Sequence, residues 1–192
     1  EIEHVLEIAY RVMLAGIEAL SDAGLRRNYL NKVSINRQIL RAWNAQRAQG
    51  GLPVEPAVGP AGNLQESFRR LLAIGARMNA PRPLQELLDF VVTQVIELSG
   101  AERLLLAFSD GKDAWQAAAS FGYREDIQAV LVEHRSLLDG LAAAPRPLLN
   151  EVAGISRMAV PLGAGSRPEV LLVETDAAFG PFDESDLDLL AA

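Results

Sequence analysis

The stretch that decides the fold is Arg103-Leu104-Leu105-Leu106-Ala107-Phe108, then Ser109-Asp110-Gly111-Lys112, then Ala114-Trp115-Gln116-Ala117-Ala118-Ala119-Ser120. An Asp-Gly pair between two apolar runs marks a tight hairpin turn, because its central residues tolerate positive φ. The stretch therefore predicts two antiparallel strands. Further on, Met158-Ala159-Val160-Pro161-Leu162 and Val170-Leu171-Leu172-Val173-Glu174 read as two more strands, joined through Gly163-Ala164-Gly165-Ser166. Leu148-Leu149 reads as a short strand before them. Between the hairpin and these strands, Arg124 to about Ala143 reads as one helix, ended by Pro145 and Pro147.

Helices flank this β region. Leu64, Phe68, Leu71, Leu72, Gly75 and Met78 recur at helical spacing and stop before Pro81, with Gly62 or Asn63 as a cap. Pro83 to Ser99 forms a second helix, with Leu84, Leu87, Leu88, Val91, Val92, Val95 and Ile96 on its buried face and Gly100 closing it. A last helix begins near Asp183 and carries Leu187, Leu189 and Leu190. Helices at both ends of antiparallel strands predict an α+β domain.

Before this domain, Gly50 to Gly62 is rich in Gly and Pro and reads as a linker. Residues 1–49 read as a helical hairpin. Ile2, Val5, Leu6, Ile8, Ala9, Val12, Met13, Ile17 and Leu20 line one helix, and Gly24 supplies a left-handed stop. A second helix runs from about Leu25 to Gln49, with Leu25, Tyr29, Val33, Asn36, Leu40 and Trp43 on one stripe. So short a hairpin cannot bury both apolar faces by itself. The domain division is thus 1–49 hairpin, 50–62 linker and 63–192 α+β domain. Both ends lie inside amphipathic runs, which predicts an internal slice of a longer polypeptide, truncated at its last helix.

Composition limits the chemistry. The 192 residues are 49% apolar and carry a net charge of −7, which suits a folded domain and disfavours disorder. No run of about 18 apolar residues free of charge is present, so no membrane span is expected. There is no cysteine, which excludes disulfides, thiolate metal sites and cysteine nucleophiles. Charge is uneven: residues 1–50 carry +2 and the remainder −9.

The order and wording of the elements resemble a GAF domain over about residues 64–192. Four pieces carry the resemblance: Glu97-Leu98-Ser99-Gly100-Ala101-Glu102-Arg103 before a strand, Ala117-Ala118-Ala119-Ser120-Phe121-Gly122, Met158 to Leu162, and Phe182-Asp183-Glu184-Ser185-Asp186-Leu187-Asp188-Leu189-Leu190. The sequence departs from the family where Glu169 or Val170 stands in place of a frequent Gly. The resemblance implies a central antiparallel sheet with the end helices on one face. A middle helix and its loops would cover the other face and wall a small-molecule pocket. The N-terminal segment resembles, more loosely, the helical spacers that precede GAF domains in large bacterial regulators.

Candidate chemistry is sparse. His134 lies on the middle helix beside Glu133 and Ser136, but neighbours on one helix do not converge as a Ser-His-acid triad must. His4 and His134 are too few for a metal site. Gly163-Ala164-Gly165 lacks the later Gly and the following helix of a phosphate loop. Phe179-Gly180-Pro181-Phe182-Asp183-Glu184 fits half of a motif of cyclic-nucleotide-binding family members, but the matching Asn31-Lys32 lies before the linker. Asp183 and Glu184 read instead as first-turn acids. The bilin-binding and methionine-sulfoxide-reductase members need cysteines that are absent. Arg26, Arg27, Lys32, Arg37, Arg41 and Arg47, with no acid between residues 25 and 49, read either as a phosphate-binding stripe or as a face meeting the acidic domain.

The expectation is a non-enzymatic, cytoplasmic module of a bacterial signal-transduction protein that senses a small molecule and dimerises. Its alternative is a degenerate domain without ligand that acts as a dimerising, signal-transmitting spacer. Candidate pocket residues are Trp115, Phe121, Tyr123, Ile127, Val130, Leu131 and His134, with Arg124, Arg135, Arg146 and Arg157 as sources of charge for an acidic ligand. Alternatively, the same apolar side chains form plain core. Candidate dimer-helix residues are Leu64, Phe68, Leu71, Leu72, Leu187 and Leu190. Expected partners are a second copy, an unidentified small molecule and flanking signalling domains; neither membrane nor nucleic acid is favoured, and no metal or cofactor is implied.

Overall fold

A computed structural model of the chain describes residues 2–20, 22–53, 57, 83–109, 114–162 and 167–191. The Asp110-Gly111 turn, the Gly163 to Ser166 connection and the helix expected over Leu64 to Met78 lie outside the described residues. Three helices open the chain: α1 (Ile2–Glu18), α2 (Ala23–Lys32) and α3 (Ser34–Gln49). After α4 (Leu84–Ser99) come β1 (Arg103–Ser109) and β2 (Trp115–Phe121). Then follow α5 (Ile127–Glu133), α6 (Arg135–Ala143), β3 (Leu148–Val152), β4 (Ile155–Leu162) and β5 (Glu169–Asp176). A 3-10 turn (Ala177–Phe179) and α7 (Glu184–Ala191) complete the fold.

The five strands form one sheet in the order β2-β1-β5-β4-β3, and every pairing is antiparallel. Alternation along the strands splits the core into two layers. Leu104, Met158, Val160, Leu171 and Val173 pack with Val92 and Ile96 of α4 and Leu187 of α7. Leu105, Ala107, Ala159, Val170 and Leu172 pack with Val130 and Leu131 of α5 and Leu138 and Leu141 of α6. End helices on one face and middle helices on the other is the expected α+β arrangement. A register shift between Leu106 and Ala107 leaves Ala118 as the extra residue of β2, so Ala119 joins the first layer and Ala117 the second. Glu169 and Val170, where the family often has Gly, lie in regular strand paired to Phe108 and Ala107.

Several elements differ from expectation. The second helix of the N-terminal segment is broken at Val33, which is extended (φ −82, ψ 110). There Asn36 Nδ2 donates to the Tyr29 carbonyl at 2.9 Å, satisfying a carbonyl near the end of α2. Gly24 does not stop α1; it sits in the first turn of α2, whose start is capped by Asp22 Oδ1 accepting from Leu25 N at 2.9 Å. Gly24 is needed for close approach, since a Cβ there would lie 1.9 Å from the Leu98 carbonyl oxygen. The middle helix is two helices bent at His134 (φ −89, ψ 2). β3 and β4 extend further than expected, because Ala153 (φ 52) and Gly154 (φ 76) form a two-residue hairpin turn between paired Val152 and Ile155. Gly100 closes α4 as expected, left-handed with φ 69 and with its N–H on the Ile96 carbonyl at 3.0 Å.

The N-terminal helices bury Met13, Ile17, Leu30 and Leu40 together with Phe179 from the 3-10 turn after β5. Tyr10 and Trp43 stack with ring centroids 4.5 Å apart. The segment that could not bury its faces alone thus borrows an aromatic ring from the α+β region.

Candidate functional site: a buried ion cluster beneath the middle helices

Strand register sets this site. Arg103 on β1 and Arg157 on β4 each pair directly with Glu174 on the intervening β5. Three charged side chains therefore form one row on the face covered by α5 and α6. Glu174 is 1% exposed. Its Oε1 lies 2.5 Å from Arg157 Nε, and its Oε2 lies 3.2 Å from Arg103 Nε. Tyr123 OH donates to Oε2 at 3.2 Å. His134 Nε2 stands 3.8 Å from Oε1, and the His134 ring meets that of Tyr123 edge-on at 6.4 Å. At the outer edge Arg157 Nη2 lies 3.8 Å from Glu133 Oε1, and the Arg103 guanidinium lies 5.7 Å from the centre of the Tyr123 ring.

The cluster is electrically balanced, with two guanidiniums set against Glu174 inside and Glu133 at the rim. Burial, reinforced by the adjacent Glu174 carboxylate, pushes the Tyr123 phenol well above its ordinary range. Burial also holds His134 below its usual pKa, against the opposing pull of Glu174. His134 is therefore neutral at pH 7, and both Glu174 oxygens are engaged by the two arginines. A carboxylate so fully engaged is poorly placed to take a proton from a substrate.

Most of the candidate pocket residues converge on this layer. Trp115, Val130 and Leu131 are buried in it, and Tyr123 and Ile127 pack against it. Trp115 Nε1 donates to Asp139 Oδ1 at 2.8 Å. His134 is turned inward by the bend between α5 and α6 and is 3% exposed. Phe121 is separate: it is 47% exposed and lines a different cleft, beside α2 and α3. Arg157 belongs to the cluster. Arg124 lies with Phe121, Arg135 pairs with Asp139 on α6, and Arg146 is exposed.

Leu187 is buried in the core of its own chain, and Leu190 packs against that core. Leu64, Phe68, Leu71 and Leu72 lie outside the described residues. Asp183, read as a first-turn acid, caps α7, its Oδ1 accepting from Ser185 N and Asp186 N. Much of the basic stripe of α2 and α3 is absorbed internally. Arg27 pairs with Asp186, Arg37 with Glu102, and Arg26 Nε donates to the Leu20 carbonyl. Sequence reasoning missed Glu174 and Arg103. The available signal was a carboxylate at the end of an otherwise apolar, fully buried strand.

No family model matches the sequence. A search of curated proteins likewise finds no match. Solved structures do match. The GAF domain of a phosphoenolpyruvate-protein phosphotransferase from Coxiella burnetii superposes with a TM-score of 0.53 at 14% identity, over 68% of this chain and 89% of that one. The corresponding domain from Acinetobacter gives 0.52 at 18% identity, over 68% and 88%. The chain has the fold of a GAF domain. Beneath the middle helices, that fold's sheet face carries the buried Trp115, Val130, Leu131, Leu138 and Leu141 and the Glu174 cluster. Among the described residues no group of His, Asp and Glu is placed to hold a metal ion, and no helix is long and apolar enough to cross a membrane.

Proposed function

We propose that this GAF domain is a non-catalytic regulatory module of a signalling protein, whose sheet face is closed by its own side chains and which relays the arrangement of its helices between neighbouring domains. The observation that carries the reading is Glu174. Its carboxylate meets Arg103, Arg157 and Tyr123 at the place where an acidic ligand would otherwise find its counter-charges. The two similar solved domains, both from phosphotransferases, support a regulatory role within a larger polypeptide. Pairing with a second copy belongs to the same reading. It is supported by the apolar spacing of Leu64, Phe68, Leu71 and Leu72 in the sequence and by Val5, Ile8 and Val12, which leave an apolar stripe exposed along α1.

The test is chemical complementation. Glu174→Ala leaves Arg103 and Arg157 without their shared partner and opens space beside them. Millimolar acetate should raise the thermal midpoint of Glu174→Ala and leave that of the wild type unchanged. Native mass spectrometry of the wild type should show the bare chain mass. A retained compound, located crystallographically against Trp115 and His134, would replace this reading with small-molecule sensing at that face.

A further inference from the structure

A second feature lies on the opposite side of Arg103, where the N-terminal helices meet the ends of β1 and β2. A cleft of about 740 Å³ is walled by α2 and α3 on one side and by Glu102, Arg103 and the Phe121 to Glu125 segment on the other. That volume is in the range of small-molecule sites. Five cations line it, Lys32, Arg37, Arg41, Arg103 and Arg124, against two acids, Glu102 and Glu125. Arg37 and Arg103 are engaged with Glu102 and Glu174. Lys32, Arg41 and Arg124 make no ion pair among the described residues and are exposed.

Three further observations point to a ligand. Arg37 Nε is buried without a hydrogen-bond partner. Asn31 lines the cleft, is 2% exposed, and has an unpartnered Oδ1, although its Nδ2 donates to the Gly100 carbonyl at 2.7 Å. Ser34, also in the lining, opens the 16-residue α3, whose start has no side-chain cap. Uncapped amides at a helix start attract anions. Guanidinium and ammonium groups bind phosphate strongly. An acceptor such as Asn31 Oδ1 calls for a hydroxyl or amino donor. On the far wall Phe121 is 47% exposed, a surface on which a flat ring can stack.

We propose that this cleft binds a nucleoside polyphosphate, with the phosphates on Lys32, Arg37, Arg41 and the α3 N-terminus, a sugar hydroxyl on Asn31 and the base on Phe121. The cleft shares Arg103 with the Glu174 cluster, but the contacts proposed for the ligand do not use that side chain. Because its walls come from the N-terminal helices and from the sheet, occupancy favours one placement of those helices over others.

The test is isothermal titration calorimetry on the whole chain with ATP, inorganic triphosphate and adenosine as probes. ATP should bind, triphosphate more weakly and adenosine not measurably. The double variant Lys32→Ala/Arg41→Ala removes two exposed, unpaired charges, so its thermal midpoint should hold while ATP binding weakens about tenfold or more. Phe121→Ala should lower ATP affinity towards that of triphosphate and leave triphosphate binding unchanged. The proposal is overturned by no heat from ATP at millimolar concentration, by unchanged affinity in the double variant, or by equal binding of ATP and triphosphate. None of these outcomes bears on the acetate experiment with Glu174→Ala.

Discussion

Arg27 on α2 and Asp186 on α7, 159 positions apart, form a buried two-pronged ion pair: Nη1 to Oδ1 at 2.9 Å and Nη2 to Oδ2 at 2.5 Å. The remaining guanidinium donors are also used. Nε donates to the Gly180 carbonyl, Nη1 to that of Ser99 and Nη2 to that of Pro181, each within 2.9–3.0 Å. All five N–H groups of one arginine are satisfied, and the guanidinium also lies 4.9 Å from the centre of the Phe182 ring. This single side chain ties the N-terminal helices to the end of α4 and to the start of α7, the two helices on one face of the sheet. A change in the placement of the N-terminal helices therefore acts directly on both.

Removing that side chain should be costly. Arg27→Ala strands Asp186, 7% exposed, and three carbonyls. Breaking one side of a buried pair typically costs about 3–5 kcal/mol. Arg27→Lys should recover little, because an ammonium offers three donors in the wrong geometry to five acceptors. Urea denaturation of both variants checks this. A lysine variant of wild-type stability would show that the fork geometry is irrelevant.

Acid should destabilise the domain through His134. Burial keeps its folded pKa below the usual 6.5, whereas the unfolded chain takes up a proton there. The stabilising contribution is full above about pH 6.5 and is lost as pH falls from there through the folded value, with a slope of at most about 1.4 kcal/mol per pH unit. Glu174 and Glu133 pull the imidazole towards protonation, while Arg157 and Arg103 oppose it. His134→Gln should flatten the stability profile between pH 6.5 and about 5, above the range where ordinary carboxylates titrate. At the alkaline end the sign reverses for Tyr123. Its raised pKa means stability is present below about pH 10 and lost above it, as the unfolded chain ionises first. Tyr123→Phe should remove that loss, as thermal midpoints across pH 9–11 would show.

The sheet, its layering and the end helices were legible because period-two and helical spacing survive burial. Leu104 to Ala107 alternates between two cores, and Val92 and Ile96 keep one face of α4. The ion cluster was not legible. Arg103, Tyr123, His134, Arg157 and Glu174 are scattered over five segments and meet only through strand register and the bend at His134. Gly24 was misread for a related reason. Glycine serves helix ends and close backbone approach alike, and only the neighbouring Leu98 carbonyl tells them apart. The break at Val33 follows from Asn36, whose side chain competes for a backbone carbonyl, a preference that helical periodicity does not register.

Two glycine substitutions should move stability in opposite directions. At Gly24 a Cβ would lie 1.9 Å from the Leu98 oxygen and 2.8 Å from its carbonyl carbon, both rigid backbone. Gly24→Ala must push α2 off the end of α4 and disturb Arg27, a loss of about 1–3 kcal/mol or above. Gly140, inside α6, has nothing within 4 Å of its added Cβ. Gly140→Ala should gain about 0.5–1 kcal/mol from helix propensity and a less flexible unfolded chain. Thermal or urea midpoints of the pair decide it, and the reverse ordering would mean that α2 does not lie on α4 as described.

The β3–β4 turn offers the sharpest test of register. Ala153 is the one non-glycine among the described residues with positive φ, at 52, and it precedes Gly154 at 76. A side-chain-bearing residue in that region costs about 1–2 kcal/mol, less for Asn, whose amide bonds locally. Asn-Gly is the preferred pair for a two-residue turn of this hand. Ala153→Asn should therefore stabilise the exposed turn by about 0.5–1 kcal/mol, and Gly154→Ala should destabilise it by a similar amount or more. β3 lies at the sheet edge and is held by its pairing to β4. Hydrogen exchange of its backbone amides should slow in Ala153→Asn and quicken in Gly154→Ala. If Ala153→Asn lowered stability, the turn would not have the two-residue form, and Leu148 would not face Ala159 across the strand pair.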